Sequence, residues 1–213
     1  MTEYLTDEEQ VERIKRWWSE NGNSVLAGLI IGVGGLLGWR YWVDHNVTVA
    51  AEASIHFEQM VAALENSNND DAIEHASIIA DEYSNTVYGD LAHLSLAKAF
   101  VEGNEYTKAE QQLRLLLKSS KETTLQMIAR KRLATILLQE QKFDEALQVV
   151  DVDFPPQFGA AFEELKGDIL AAQGEKVDAR AAYERAQIAQ PPVPDPLFLQ
   201  LKLQNLGTPA ATS

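Results

Sequence analysis

Along most of this chain apolar residues recur every three or four positions, the spacing of one buried helix face. One stretch departs from that pattern by being apolar all round. From Val25 to Trp39 no side chain is charged or strongly polar, and past Arg40 the stretch continues to Val43. Nineteen helical residues at ~1.5 Å each reach roughly 28 Å, close to the ~30 Å hydrocarbon layer of a bilayer. The pattern predicts a transmembrane helix over residues 24–43. Arg40 lies near its end, where a long side chain can snorkel to the interface. Trp39, Tyr41 and Trp42 stand where an interfacial aromatic belt belongs.

The residues before the span form a second pattern. Val11, Ile14, Trp17 and Trp18 share one helical face, and Thr6 with Glu9 has capping-box spacing. This predicts an arm, residues 1–23, whose amphipathic helix lies on the membrane surface with Trp17 and Trp18 as anchors. Asn21-Gly22-Asn23 is expected to break that helix, and Ser24 to cap the next. Within the span the glycines fall into two groups. Gly28, Gly32 and Gly35 lie on one side, while Gly34 and Gly38 form a second groove. Small residues so spaced let another membrane helix approach closely, so both groups are candidate packing positions.

Beyond Asp44 no stretch alternates at period two for long enough to be a strand, and the helical segments repeat. Ala97, Ala134 and Gly167 each stand twelve positions before an alanine, Ala109, Ala146 and Ala179. Phe100, Leu137 and Leu170 fall three after the first small residue, and Leu113, Val150 and Tyr183 four after the second. The second alanines are 37 and 33 residues apart. Ala72 lies 37 before Ala109, which marks a degenerate earlier unit whose helices cover about Val49–Glu65 and Ala72–Tyr83. This resembles the tetratricopeptide repeat, with two departures: Lys176 occupies the place of the turn aromatic, and no unit has the signature tryptophan. Asp153-Phe154-Pro155-Pro156 reads as a loop between units, and Leu197–Leu206 as a helix covering the last one. The expected fold is all-α: a single N-terminal transmembrane helix followed by a tetratricopeptide-like α-solenoid over residues 44–206. A disordered tail, 207–213, is expected after it. The resemblance implies a concave surface formed by the first helix of each pair. Its positions are Leu91, Leu94, Lys98 and Val101, then Lys131, Thr135 and Leu138, then Glu164, Asp168 and Ala171.

Charge adds direction. Arg13, Lys15 and Arg16 precede the span, whereas residues 41–97 hold ten acids and no lysine or arginine. The positive-inside rule therefore places the N-terminus in the cytoplasm and the repeats across the membrane, in a bacterium the periplasm. A cleaved signal fits less well, because the residues before the apolar run carry six acids against three bases. The net charge of -14 argues against a nucleic-acid partner. The chain has no cysteine, which removes thiolate metal sites and thiol catalysis. His45, His56, His75 and His93 make no HExxH pair, although His56 and His75 can meet across the first helix pair. No phosphate loop or nucleophile elbow occurs, and Gly32-x-Gly34-Gly35 lies inside the span. Arg130-Lys131-Arg132 reads as helix surface, or as a dock for an acidic partner. The expectation is a binding protein without cofactor or enzymatic activity.

Together, the arm Val-Glu-Arg-Ile-Lys-Arg-Trp-Trp-Ser-Glu-Asn-Gly, the closing motif Gly38-Trp39-Arg40-Tyr41-Trp42 and the repeats resemble the YfgM family. That family is the ancillary subunit of the bacterial Sec (SecYEG) translocon. The resemblance implies a single-pass inner-membrane adaptor with three kinds of partner besides membrane lipid. These are the translocon, a membrane-anchored periplasmic chaperone of peptidyl-prolyl isomerase type, and exported client polypeptides. A scaffold for envelope or divisome assembly, unrelated to secretion, shares every physical feature.

Overall fold

The computed structural model describes residues 7–207. Nine α-helices and one 3-10 turn account for the regular structure of these residues. They divide into two units, one up to Ala51 and one from Glu52 onward.

The first unit belongs to α1, which runs from Asp7 to Glu65. The break expected at Asn21-Gly22-Asn23 does not occur. Asn21 Nδ2 donates to the Trp17 carbonyl at 3.0 Å, one turn back, so its side chain follows the helix instead of capping its end. Gly22 is buried under Trp18, whose indole atoms would lie 3.3 Å from a Cβ there. One helical glycine costs ~1 kcal/mol relative to alanine, too little to stop a helix that continues strongly on both sides. Ser24 is therefore no cap, and the expected separate helix starting near Val49 is part of α1. Thr6 of the expected capping box, and the tail beyond Gly207, lie outside the described residues.

The second unit is a series of antiparallel helix pairs. The end of α1 precedes α2 (Asn69–Glu82); α3 (Val87–Glu102) pairs with α4 (Tyr106–Ser119), and α5 (Thr123–Gln139) with α6 (Phe143–Val150). After the turn Pro156–Phe158 come α7 (Gly159–Gln173) and α8 (Lys176–Ile188), then α9 (Pro196–Asn205). The repeat register is visible in the backbone. Ser67, Asn104, Gln141 and Gly174 each have positive φ, and each stands five residues before Ala72, Ala109, Ala146 and Ala179. A single left-handed residue thus turns the chain between the helices of all four pairs, which makes the degenerate first unit a true member of the array. Only at Gly174 (φ 92°) is that residue the glycine that adopts this conformation without strain.

Packing follows the same register. Ala109, Ala146 and Ala179 are fully buried and Ala72 nearly so, each twelve positions after Ala97, Ala134, Gly167 and Met60 respectively. Small residues at these positions let paired helices approach closely. Where Met60 stands instead, the helices meet through longer side chains, among them His56 and His75, whose rings lie 5.7 Å apart. Caps fix several starts. Thr86 Oγ1 accepts from Gly89 N–H at 3.1 Å, and Asp195 Oδ1 accepts from Phe198 N–H at 3.0 Å. Gly89 is obligatory for another reason: a Cβ there would lie 2.7 Å from the Tyr83 carbonyl oxygen and the Ser84 Cα.

Candidate functional site

Two surfaces are candidates for contact. The first is the apolar stretch of α1. Ile30, Ile31, Leu36 and Leu37 are all at least 60% exposed, and a Cβ added at Gly28, Gly32, Gly34, Gly35 or Gly38 would meet, within 4 Å among the described residues, no atom beyond its chain neighbours and the adjoining helix backbone. This is the one described helix long and apolar enough to cross a membrane. At its end Trp39 and Trp42 are 5.4 Å apart between ring centroids, and Tyr41 stacks on His45 at 6.3 Å. The Arg40 guanidinium lies 3.9 Å from Asp44, one turn further on. Trp17 and Trp18 are half exposed, 6.5 Å apart.

The second is a groove of about 720 Å³ between α3, α5 and the start of α7. It brings together Lys98, Val101, Lys131 and Thr135 from the expected concave face. Arg132, read from the sequence only as helix surface or a dock for an acidic partner, also lines it, as do Met127, Ile128, Gln139 and Phe158, which sequence reading missed. A signal for most of them existed: residues 128, 131, 132, 135 and 139 form one helical stripe. Phe158 carried none, because it is delivered by the short turn after Pro155-Pro156.

The other expected groove positions lie elsewhere. Leu94 is buried in the core and Leu138 packs against it, while Leu91 is half buried on α3. Ala171 packs beside Leu170, Ala179 and Ala182. Glu164 and Asp168 are taken up by α9, since Lys202 Nζ lies 2.7 Å from a carboxylate oxygen of each. Tyr183 also donates to Asp168 at 2.8 Å. Burial alone would lower the Lys202 ammonium, but its bonds to Asp168 and Glu164 outweigh this and hold it above its usual value. Burial first, and then the neighbouring Asp168 carboxylate, push the Tyr183 phenol well above the ordinary range. Arg180 donates to the Leu203 and Gly207 carbonyls, so the last turn of α9 and the residue just beyond it are fastened. Leu199 buries its side chain with Tyr183, Ala186 and Val193, giving the covering helix its apolar contact.

The histidines form no ligand set. His56 and His75 do meet, with Nδ1 atoms 3.4 Å apart, and His93 is buried with its Nδ1 2.8 Å from Gln112 Oε1. Among the described residues, no three His, Cys, Asp or Glu side chains converge on a metal position.

Comparison with known proteins finds relatives over nearly the full length of the chain. The tetratricopeptide repeat-like domain family matches residues 15–208. An ancillary SecYEG translocon subunit of Escherichia coli is 36% identical over 96% of this chain and 98% of its own. The chain belongs to that family. A Haemophilus influenzae member is 31% identical over 95% of this chain and 98% of its own. One from Neisseria gonorrhoeae is 28% identical, covering 97% of this chain and all of the relative. A solved structure of MamA (residues 41 to the end) from Desulfovibrio magneticus shares the fold. Its TM-score is 0.54 at 17% identity, over 65% of this chain and 76% of that one. Within the family, the long apolar helix and the tetratricopeptide-like repeats are both present in this member, consistent with a protein of the inner membrane.

Proposed function

We propose that this chain is a non-enzymatic, membrane-tethered adaptor of the Sec translocon. Its span recruits a membrane partner, and its repeats hold a peptidyl-prolyl isomerase-type chaperone or a newly exported chain on the periplasmic side. The observation that carries this reading is the bare stretch of α1, whose large apolar side chains are exposed and whose glycines have open space beside them among the described residues. In lipid such a surface associates by close van der Waals packing, which small residues favour. The naming of near-full-length relatives as ancillary SecYEG translocon subunits supports this choice of partner. The basic residues before the span and the acidic run after it support an N-in orientation. Tethering raises the local concentration of the repeats at the translocon exit, so a weak groove suffices.

The test is site-specific photo-crosslinking in cells. A photoreactive residue replaces Gly32 or Gly34 in the span, and another replaces Lys131 in the groove. Adducts to translocon subunits from the span, and to a chaperone or exported chain from the groove, are expected. Adducts confined to cell-wall or division machinery would overturn the proposal in favour of an envelope scaffold.

A further inference from the structure

Resting on that reading of the groove as a polypeptide-binding surface, we infer that its ligand is an apolar polypeptide segment flanked by carboxylates. The three consecutive cations Arg130, Lys131 and Arg132 have distinct positions in the fold. Arg130 Nη1 donates to the Val149 carbonyl at 3.3 Å, turning away toward α6. Arg132 Nη1 donates to the Leu94 carbonyl of α3 at 3.2 Å, which leans the guanidinium across the groove. One bond uses one of five N–H donors, leaving most of the fork for a ligand. Lys131, between them, is exposed and lines the same groove.

What sets these two cations apart is that they line the groove without an ion pair, whereas Lys118, Lys121, Arg130, Lys176 and Arg180, also outside any ion pair among the described residues, do not line it. In this acidic unit Lys108, Arg114, Lys142, Lys166, Arg185 and Lys202 all stand in ion pairs. Lys131 and Arg132 have no carboxylate within 4.0 Å among the described residues. Glu102, on the opposite rim, is neutralised by Lys98 at 3.7 Å. The groove is therefore locally positive on a chain whose net charge is -14. Between the cations the lining is apolar, with Val101, Ile128 and Phe158 half buried and only partly covered. A volume of about 720 Å³ takes several apolar side chains. Apolar floor and unpaired cationic rim together select a segment with apolar residues inside and acids outside. A basic or wholly polar segment leaves Lys131 and Arg132 unmatched or repelled.

The experiment uses the full chain in lipid nanodiscs and two fluorescent peptides with one shared leucine- and phenylalanine-rich core. One core is flanked by glutamates and the other by lysines. By anisotropy at low salt the glutamate-flanked peptide is expected to bind about tenfold more tightly, as two exposed pairs allow. The preference should shrink as salt rises. Lys131→Glu should abolish or reverse it without changing the far-ultraviolet circular dichroism. A third peptide, glutamate-flanked with a serine core, should bind weakly if the apolar floor contributes. Equal binding of the two flanked peptides, tighter binding of the lysine form, or indifference to Lys131→Glu would overturn the assignment. Crosslinks from Gly32 read recruitment separately. Their persistence alongside a failed peptide preference would remove only this inference, and their loss alongside a confirmed preference would remove only the translocon reading.

Discussion

Replacing Gly167 by alanine probes the repeat packing directly. At the spacing where the two preceding units carry Ala97 with Leu113 and Ala134 with Val150, the last unit has Gly167 with Tyr183. The larger ring occupies the volume that the missing methyl vacates. A Cβ on Gly167 would fall far inside contact distance of both Cδ1 and Cε1 of Tyr183. The ring cannot swing aside cheaply, because Tyr183 is 3% exposed and its hydroxyl is held by Asp168 at 2.8 Å. Overpacking of this kind costs ~1–3 kcal/mol, and the better helix propensity of alanine returns up to ~1 kcal/mol. The net expectation is a loss of about 1–2 kcal/mol, or about 2–8 °C in the melting temperature of a domain of this size. Thermal unfolding of the full chain, followed by circular dichroism at the helix band, measures it. In a Tyr183→Leu background the same Gly167→Ala change should become neutral or stabilising, because the pair then matches the other units. The coupling between the two sites should therefore be at least ~1 kcal/mol. Gly103→Ala is the control, since the nearest atom to its Cβ would be 3.5 Å away, an ordinary contact. A higher melting temperature for Gly167→Ala in the wild-type background, or additive effects in the double variant, would refute the argument.

Asp90 is 4% exposed, its Oδ2 accepts from Ser120 Oγ at 2.6 Å, and its Oδ1 has no partner. Burial raises its carboxyl above the usual aspartate value despite the Ser120 bond and nearby His93. The folded state thus holds this proton more tightly than the unfolded chain, and stability falls as pH rises through the raised value. Asp90→Asn should be more stable than wild type by about 1 kcal/mol near pH 8, with the advantage shrinking at acidic pH; urea titrations at several pH values check it. Lys202→Ala removes the cation between Glu164 and Asp168, whose side chains remain 22% and 28% exposed. Because water still reaches them, the loss should be about 1–2 kcal/mol, read as faster amide exchange confined to α9 and its contacts. Protease added to spheroplasts should cleave residues beyond Asp44 and spare the first twenty. Digestion of the N-terminal arm instead would reverse the proposed orientation.

The covering of the last repeat shows where sequence reading stopped. The twelve-residue spacing of small residues was legible because close helix crossing tolerates few side chains, and each crossing leaves a local mark. That α9 would reach back to Glu164 and Asp168 was not legible. Lys202 is 34 residues from Asp168, and nothing local distinguishes it from any surface lysine. The groove divided the same way: its α5 stripe follows helical spacing, whereas Phe158 arrives by a loop path that no periodicity encodes. Gly22 marks the opposite error. A local breaker signal was overridden because a single glycine costs less than a continuing helix gains.

Sequence alone determined the all-α class, the four-fold register and the apolar span, since each depends on residue type repeated at fixed spacing along one helix. Tertiary structure decided which cations stay unpaired, which carboxylates are consumed and which repeat face remains open. Those outcomes depend on residues distant in the chain meeting in space, and on the distances at which they meet.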